Sequence, residues 1–380
     1  MKKISYGHQW IDRDDIREVV KALKSDWLTQ GPRIRDFEKA LCRRTGARYA
    51  VAVSSGTAAL HIACLAAGIE KNDEVITSPV TFVASSNCIL YCGAKPVFAD
   101  IQEDTVNIDP KEIGRKINKK TKAIIPVHFA GHPCDLVEIH KIAGKYGLIV
   151  IEDACHALGA EYKVNGRWLK IGSCKHSDMT VFSFHPVKSI TTGEGGAVTT
   201  NNKKLYERLL VFRNHGISRD VSRFIGPWYY EMQHLGFNYR ITDIQCALGI
   251  SQLRKLKTFI GHRREAARLY NDLLCGIEEA ELPVERDGYR SAWHLYPVRI
   301  KKAQNRKMVF ENLHKNKIGV QVHYIPVHLQ PYYRKSFGYK RGDYPVSERY
   351  YERAITLPIH FQMKTAEIKY VTGIFKKLIR

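Results

Sequence analysis

The chain has 380 residues, 44% of them hydrophobic, which is enough for a large core in two packed domains and excludes disordered, collagen-like and mucin-like classes. It carries 60 Lys and Arg against 38 Asp and Glu, a net charge of +22 that attracts anionic partners. The basic residues are spread along the chain without a zinc-finger, RNP or helix-turn-helix signature, so charge alone does not predict binding to nucleic acid.

The N-terminal sequence and the cysteines predict a cytoplasmic protein. No apolar segment follows Met1-Lys2-Lys3, so no secretory signal is predicted. The longest apolar stretch, residues 50–69, is interrupted by Ser54–Thr57, a pattern that predicts a strand followed by a helix rather than a membrane span. The 9 cysteines, an odd number without a paired framework, indicate reduced thiols, and Cys88-x-x-x-Cys92 lacks the second pair typical of a zinc site.

Short apolar and β-branched runs alternate with helical patterns as far as Thr200. The predicted strands are Tyr49–Val53, Glu74–Thr77, Lys95–Phe98, Ala123–Pro126, Leu148–Glu152, Met179–Phe184 and Gly196–Thr200. The predicted helices between them include Thr57–Ala67, Thr81–Tyr91, Pro110–Lys116 and Pro133–Tyr146. This alternation is typical of an α/β fold whose mostly parallel sheet is covered by helices on both faces. Because only a loop separates the last two strands, we predict one antiparallel strand in the sheet.

The pattern changes after Thr242. A long helix is predicted over Thr242–Leu274, followed by strands at His294–Ile300 and Val320–His323 and by further helices. We therefore predict two domains, a large α/β domain of residues 1–250 and a smaller α+β domain of residues 251–380.

Three segments with chemically active residues follow predicted strands, at the edge where open α/β sheets bind their ligands. The first, Ser54-Ser55-Gly56-Thr57, opens a helix, and its backbone N–H groups suit a phosphate group. An ordinary Ser/Thr helix cap is the alternative interpretation. The P-loop pattern is absent from the segment.

The other two segments carry a carboxylate and a lysine. Asp153 comes directly after the apolar strand Leu148–Glu152, where it suits a protonated ring nitrogen or simply caps a helix. Lys188 follows Val181–Val187 and precedes the glycine-rich segment Thr191–Gly196. Burial among aromatic residues lowers the pKa of a lysine ammonium and suits Schiff-base chemistry, although most loop lysines are simply solvated.

Taken together, the order and spacing of the three segments match the needs of an aldehyde-bearing pyridine phosphate. Lys188 would bind the aldehyde, Asp153 would keep the ring nitrogen protonated, and the segment that contains Ser55 would hold the phosphate. No nucleophile elbow, HExxH motif or dinucleotide fingerprint is found in the sequence. The sequence therefore predicts pyridoxal 5'-phosphate as the cofactor.

These segments, with others, carry a resemblance to a known family. The motifs are Leu28–Pro32, Pro79–Ser85, Pro126–Pro133, Glu152–His156 and Phe184–Lys188 with its glycine-rich continuation. On these motifs the chain resembles the DegT/DnrJ/EryC1 family of sugar aminotransferases over nearly its full length. The resemblance implies the aspartate-aminotransferase fold (type I), with a large, mostly parallel seven-stranded domain and a smaller C-terminal α+β domain. It also implies an obligate homodimer with shared active sites.

The resemblance further implies roles for individual residues. Lys188 and Asp153 would be catalytic, as the Schiff-base lysine and the partner of the pyridinium nitrogen. A dehydratase branch of the family has histidine in place of the lysine, so Lys188 favours transamination. The residues expected to bind the cofactor are Ser55, Gly56, Thr57, Phe82, Asp153, His156, Ser183, Lys188 and, from the neighbouring subunit, Asn238. Those expected to bind substrate are Tyr6, Asp26, Trp27, Leu28, Thr29, Gly56, Ser183, Asn238, His323, Tyr324, Ile325 and Pro326.

The reaction is also an implication of the resemblance. L-glutamate would give its amino group to the C4 keto group of a UDP-linked 6-deoxy-2-acetamido sugar of pseudaminic acid biosynthesis, leaving 2-oxoglutarate. A ketone at C3, another UDP sugar, or a dTDP or GDP carrier is the alternative within the same chemistry. A nucleic-acid-binding or regulatory protein that retains the fold is the alternative from another class, and it would show salt-dependent binding without turnover. Lys188 and Asp153 argue against that class, because a binding module needs no proton shuttle.

Two other clusters allow different interpretations. His128 and His132 have the spacing of a helical metal site, but Gly131 and Pro133 disfavour a helix there, so no metal is predicted. Trp228-Tyr229-Tyr230 is similar to a base-stacking platform. Its position shortly before the Asn238 segment favours an active-site loop or a dimer contact instead.

Overall fold

The computed structural model of the chain describes residues 3–218 and 225–379. Its helices are α1 (Arg13–Leu23), α2 (Pro32–Thr45), α3 (Gly56–Ala66), α4 (Ala84–Tyr91), α5 (Pro110–Lys116), α6 (Leu136–Tyr146), α7 (Lys203–Arg213), α8 (Asp243–Leu274), α9 (Arg306–Lys315), α10 (Pro331–Phe337), α11 (Pro345–Arg353) and α12 (Thr365–Ile379). Its strands are β1 (Tyr49–Val53), β2 (Glu74–Thr77), β3 (Lys95–Phe98), β4 (Thr121–Ile125), β5 (Ile149–Asp153), β6 (Glu161–Val164), β7 (Arg167–Lys170), β8 (Met179–Ser183), β9 (Gly196–Thr200), β10 (Ile217–Ser218), β11 (Glu231–Met232), β12 (Ala280–Glu281), β13 (Tyr289–Arg290), β14 (Tyr296–Ile300) and β15 (Ala354–Leu357).

The main sheet has seven strands in the order β1-β9-β8-β5-β4-β2-β3. The pairs from β8 to β3 are parallel, whereas β9 runs antiparallel to both of its neighbours, β8 and β1. The predicted α/β class, the seven predicted strands and the single antiparallel strand are thus confirmed. Because β1 and β8 both oppose β9, their carboxyl ends lie at the same edge of the sheet as those of β4 and β5.

Side chains alternate between the two faces of the sheet, and helices cover both faces. The sheet has one apolar core on each face. In β5, Val150 lies in the core shared with α2, α6 and α8, whereas Ile151 lies in the core shared with α3, α4 and α7. Successive strand residues point to opposite faces. By the same alternation Glu152 faces the α6 side and Asp153 faces the α3 and α4 side. One carboxylate is therefore directed into the core and its neighbour toward the layer that contains α3 and α4.

The region after α8 has its own apolar core. β14 pairs antiparallel with β12 and β15, and this small sheet packs with α9 and α12 and with the C-terminal half of α8. Ile4, far away in the sequence, lies in the same core and forms a bridge with Ile318. The proposed boundary at residue 250 falls inside α8, and the division into two domains stays a prediction.

Some elements differ from those expected. The predicted strand Val320–His323 is wrong: within the described ranges it contributes only an isolated bridge between Gln321 and Thr356. The segment alternates apolar and polar residues over only four positions, which is too short to distinguish a strand from an extended segment. Helix α4 begins at Ala84 rather than Thr81, and the preceding Phe82 lines a cavity. The hairpin of β6 and β7 was not predicted.

No helix among the described residues is long and apolar enough to cross a membrane.

Asp243, the first residue of α8, joins two distant parts of the chain. Helix α2 has no side-chain cap of its own because Gly31 occupies its N-cap position. The Asp243 carboxylate fills this role, accepting the Gly31 N–H at 2.8 Å and the Arg33 N–H at 2.9 Å. Its own N–H donates to Leu28 O at 3.0 Å. Asp243 therefore holds the segment that leads from Trp27 into α2.

We expect Asp243→Ala to lower the free energy of unfolding by about 3 kcal/mol, because it leaves two backbone donors without their buried acceptor. Denaturant unfolding followed by circular dichroism measures this loss. Asp14→Ala is the control: its ion pair with Arg17 is exposed, so we expect about 0–1 kcal/mol. Equal losses in the two variants would contradict the capping role.

Candidate functional site

A cavity of about 420 Å³ lies at the carboxyl edge of the sheet, a typical size for a small-molecule site. Segments that follow β1, β2, β4, β5 and β8 form most of its wall, and the N-terminal and C-terminal parts of the chain complete it. The lining residues are Tyr6, Ser55, Gly56, Thr57, Leu60, Thr81, Phe82, Ala84, Ser85, Val127, Asp153, Cys155, His156, Ser183, His185, Val187, Lys188, Glu194, His323 and Tyr324. The structure therefore brings eleven of the predicted site residues to one cavity.

The first turn of α3 forms one end of the cavity. The Ser55 hydroxyl accepts the Ala58 N–H at 3.0 Å, so the ordinary helix-cap interpretation is correct for this side chain. Gly56 and Thr57 follow at the start of the helix, where backbone N–H groups favour an anion. A Cβ at position 56 would lie 2.8 Å from Ser183 Cβ. Only glycine lets the start of α3 approach the end of β8 this closely.

Asp153 is held by two hydrogen bonds from the chain. Its Oδ1 accepts the Cys155 N–H at 3.1 Å and its Oδ2 accepts the Ser85 hydroxyl at 2.6 Å. Its neighbour Glu152 points the other way, accepting hydrogen bonds from Thr180 Oγ1 at 2.7 Å and contacting His128 Nε2 at 2.8 Å. Of the two adjacent acids, only Asp153 reaches the cavity.

Lys188 lies in the loop between β8 and β9 and lines the same cavity. Burial lowers the pKa of its ammonium group, an effect that Cys155 and Asp153 oppose and that the Arg263 charge reinforces. Burial acts in this direction because the charged form of lysine loses more hydration than the neutral form. Burial therefore shifts the equilibrium toward the neutral amine, which is the nucleophilic form.

His156 lies beside Lys188 in a group of neutral aromatic side chains. Its Nε2 is 3.2 Å from the Tyr324 hydroxyl, and its ring centroid is 4.4 Å from that of His294. Burial, reinforced by the Lys188 charge, holds the pKa of His156 well below its usual value. Its Nδ1 is buried without a hydrogen-bond partner among the described residues. A neutral imidazole with one unused nitrogen is thus present in the cavity wall.

The remaining walls carry rings from distant parts of the chain. Phe82 is 58% exposed at the cavity surface. Tyr6 and His323 contact each other with ring centroids 5.8 Å apart, which brings the N-terminal segment to the C-terminal region. His323 Nδ1 is 2.9 Å from Thr356 Oγ1, and burial lowers the pKa of His323 to about 3. These rings add aromatic side chains from both ends of the chain to the cavity wall.

Seven predicted residues do not line the cavity: Asp26, Trp27, Leu28, Thr29, Asn238, Ile325 and Pro326. Trp27, Leu28 and Ile325 are exposed. Asn238 forms a bridge with Asn214, and its neighbour Tyr239 contacts His61 Nδ1 through its hydroxyl at 3.1 Å. Asn238 thus lies in the segment beside Asn214, outside the lining of the cavity of its own chain.

Sequence reasoning missed several residues of the cavity wall. Ser85 and Thr81 lie within the same motif as Phe82, Pro79–Ser85. Cys155 lies within the motif that contains Asp153, and His185 and Glu194 lie within the motif of Lys188 and its glycine-rich continuation. Helical spacing offered a signal for Ser85, because residue 85 precedes buried Cys88 and Ile89 by one turn. Nothing in the sequence indicated His294, which contacts His156 from a distant segment.

The other candidate clusters have structural partners. His128 Nδ1 accepts the Cys134 N–H at 2.9 Å while its Nε2 contacts Glu152, and His132 Nδ1 is 2.8 Å from Pro133 O. In the part of the chain that the structure describes, no group of three or more His, Cys, Asp or Glu side chains is arranged to hold a metal ion. Trp228 is 74% exposed and lies outside the cavity.

We expect Lys188 to lose its proton at a lower pH in the folded protein than in the denatured chain, because burial lowers its pKa. Amine modification of the cofactor-free protein over a pH series, with peptide mass spectrometry, gives the midpoint for this residue. The same series on denatured protein is the control. A midpoint in the folded protein at or above the denatured value would contradict the burial effect.

Comparisons with known proteins agree with this geometry. The model of the DegT/DnrJ/EryC1/StrS aminotransferase family matches residues 9–376. A UDP-4-amino-4,6-dideoxy-N-acetyl-beta-L-altrosamine transaminase from Campylobacter jejuni is 40% identical over 97% of this chain and 95% of its own length.

Solved structures of similar proteins share the whole fold. Helicobacter pylori PseC, an aminotransferase involved in the biosynthesis of pseudoaminic acid, has a TM-score of 0.92 and 34% identity, covering 100% of this chain and 99% of its own. The PLP form of a putative sugar aminotransferase from Streptococcus pneumoniae has a TM-score of 0.92 and 30% identity, covering 99% and 98%. The chain therefore belongs to the DegT/DnrJ/EryC1/StrS aminotransferase family.

Proposed function

We propose that this aminotransferase uses pyridoxal 5'-phosphate to move the amino group of L-glutamate to C4 of UDP-2-acetamido-2,6-dideoxy-β-L-arabino-hexos-4-ulose. The products are UDP-4-amino-4,6-dideoxy-N-acetyl-β-L-altrosamine and 2-oxoglutarate, within pseudaminic acid biosynthesis. The observation that carries the proposal is the meeting of Lys188, Asp153 and the start of α3 in one cavity. The Campylobacter jejuni relative and the Helicobacter pylori structure support this choice of sugar by what they are named for.

The cavity fits the proposed cofactor on two observations. Gly56 leaves room between α3 and Ser183 that a Cβ would fill, which suits a phosphate at the helix N-terminus. His156 Nδ1 is buried without a partner among the described residues, which suits a ring hydroxyl. Ser55, Gly56, Thr57 and Ser183 would hold the phosphate, Asp153 the ring nitrogen, Phe82 the ring face and Lys188 the aldehyde.

Bound pyridoxal phosphate supplies an aldehyde that receives the amino group and a protonated ring that accepts electron density from the reacting carbon. The chain supplies the proton transfer. Lys188 Nζ, whose pKa is lowered by burial, would accept a proton from the carbon of the amino donor and pass it to the former aldehyde carbon of the cofactor. In the second half-reaction it would move a proton in the reverse direction, onto the carbon of the sugar that receives the amino group. Asp153, held by hydrogen bonds from Ser85 Oγ and from the Cys155 N–H, would pair with the protonated ring nitrogen.

The sugar nucleotide would enter from the side of Tyr6, His323 and Tyr324, which line the cavity. Trp27, Leu28 and Ile325 are exposed and would extend the contact beyond the cavity. The net charge of +22 favours the approach of a diphosphate. An aminotransferase for another nucleotide-linked keto sugar is the alternative, supported by the equally good fold match of the Streptococcus pneumoniae protein.

The active enzyme would be a homodimer with shared sites. Asn238 lies outside the cavity of its own chain, which supports its expected role in the site of the partner. Trp228, Met232 and Leu235, which precede it, are 74%, 66% and 79% exposed. Exposed apolar side chains grouped in one segment are typical of an interface.

We expect purified protein reconstituted with pyridoxal phosphate to show the long-wavelength absorbance of the lysine-bound cofactor. Lys188→Ala should lose this absorbance, and its turnover should fall by about 10³-fold or more. Absorbance spectra and glutamate-dependent formation of 2-oxoglutarate measure both effects. Lys307→Ala, at an exposed lysine outside the cavity, is the matched control and should retain both properties. A wild-type protein without the absorbance band would refute the cofactor.

For the substrate, we expect kcat/KM to be at least about tenfold higher with the UDP-linked 4-keto sugar than with dTDP or GDP carriers or with 3-keto sugars. A tenfold difference corresponds to about 1.4 kcal/mol in transition-state binding. A panel of keto sugars with L-glutamate, analysed by mass spectrometry and NMR of the product, measures it. Preference for another carrier or for C3 would favour the alternative sugar aminotransferase.

A further inference from the structure

Ser85 contacts Asp153 from a different element of the fold. It lies in the first turn of α4, is 1% exposed, and its Oγ is 2.6 Å from Asp153 Oδ2. Asp153 faces this layer because it alternates with Glu152 along β5. The Cys155 N–H occupies the other carboxylate oxygen at 3.1 Å. Each oxygen of the carboxylate therefore has its own donor.

A second hydroxyl stands behind the first. Thr81 Oγ1 is 2.7 Å from Ser85 Oγ, and Thr81 is also buried. An ionised carboxylate only accepts hydrogen bonds, so Ser85 donates to Asp153 and Thr81 donates to Ser85. Ser85 Oγ also has a backbone acceptor, Phe82 O, but at the longer distance of 3.2 Å. Aligned hydroxyl groups polarise one another and strengthen the terminal hydrogen bond.

We propose that Ser85, supported by Thr81, is a positioning residue that fixes the orientation of Asp153 toward the nitrogen of the cofactor ring. This inference rests on the proposed function. A carboxylate with a donor on each oxygen cannot rotate freely, so its remaining lone pairs keep one direction. A carboxylate in this fixed position would hold the proton on the ring nitrogen, which the electron sink requires.

The same short segment also sets the face of the ring. Phe82 lies between Thr81 and Ser85 in the sequence and lines the cavity. The turn that leads into α4 thus fixes both the proposed stacking side chain and the support of Asp153. A shift of this turn would change the ring plane and the nitrogen partner together.

Ser86 gives a matched control. It is the next residue of α4, is buried, and loses the same hydroxyl on substitution by alanine. Its Oγ accepts the Tyr333 hydroxyl at 2.8 Å and donates to Val83 O at 3.1 Å, with no contact to Asp153. Ser86→Ala therefore reports what the loss of a buried hydroxyl in this helix does to folding alone.

We expect Ser85→Ala to lower kcat by about tenfold to a hundredfold, the usual effect of losing a hydrogen bond to a charged group. The ¹⁵N chemical shift of the ring nitrogen, measured with labelled pyridoxal phosphate, should move toward that of neutral pyridine. Thr81→Val, which keeps the shape of the side chain, should move both quantities in the same direction but less. Ser86→Ala should change neither, apart from a lower melting temperature.

The outcomes separate the two proposals. Wild-type protein without bound cofactor would refute the proposed function itself. Wild-type protein with bound cofactor, but a nitrogen shift and kcat unchanged in Ser85→Ala, would overturn the positioning role alone. If Ser85→Ala does not fold, Thr81→Val decides: an unchanged nitrogen shift in that variant also overturns the role.

Discussion

The site depends on the two-residue alternation of side chains along β5 and β8. Asp153 follows Ile151, and Ser183 follows Val181, on the face of the sheet that packs against α3 and α4. The first turns of these helices lie on that face, so the strand ends and the helix starts meet there. A shift of one residue in β5 would direct Glu152 to the cavity and bury Asp153 in the core, and the same shift in β8 would turn Ser183 away. The register of the sheet is therefore the constraint on which every contact of the site rests.

The antiparallel strand β9 maintains this arrangement close to Lys188. It joins β8 to β1, so the loop that carries Lys188 returns the chain to a position beside the start of α3. A Cβ at Gly196 would lie 2.3 Å from Ser55 O, which means that β9 enters the sheet directly against the first turn of α3. The glycine-rich sequence after Lys188 is thus a packing requirement of the sheet. It brings the lysine and the proposed phosphate site to the same cavity.

Burial gives the site its electrostatic character. Within a wall of aromatic and aliphatic side chains, the pKa values of Lys188, His156 and His323 are all lowered. The Asp153 carboxylate is held by one hydrogen bond to each of its oxygens. An amine whose pKa is lowered by burial and a carboxylate of fixed position in one cavity suit proton transfer at a carbon acid. The net positive charge of the chain bears on the approach of an anionic substrate.

The sequence by itself determined the layered α/β architecture and the seven strands of the main sheet. It also placed Lys188, Asp153 and Gly56 at strand ends. These features follow from local periodicity and from the alternation of strands and helices along the chain. Contacts between distant segments were decided only by the tertiary structure. Ser85 lies 68 residues from Asp153, and Tyr324 lies 168 residues from His156. The predicted strand at Val320–His323 failed for the same reason, since its path depends on contacts with Ile4 and Thr356. Local patterns of apolar residues specify which face of a strand or helix a side chain occupies. Its contact partner across the cavity depends on how distant elements pack, and no local pattern in the sequence records that packing.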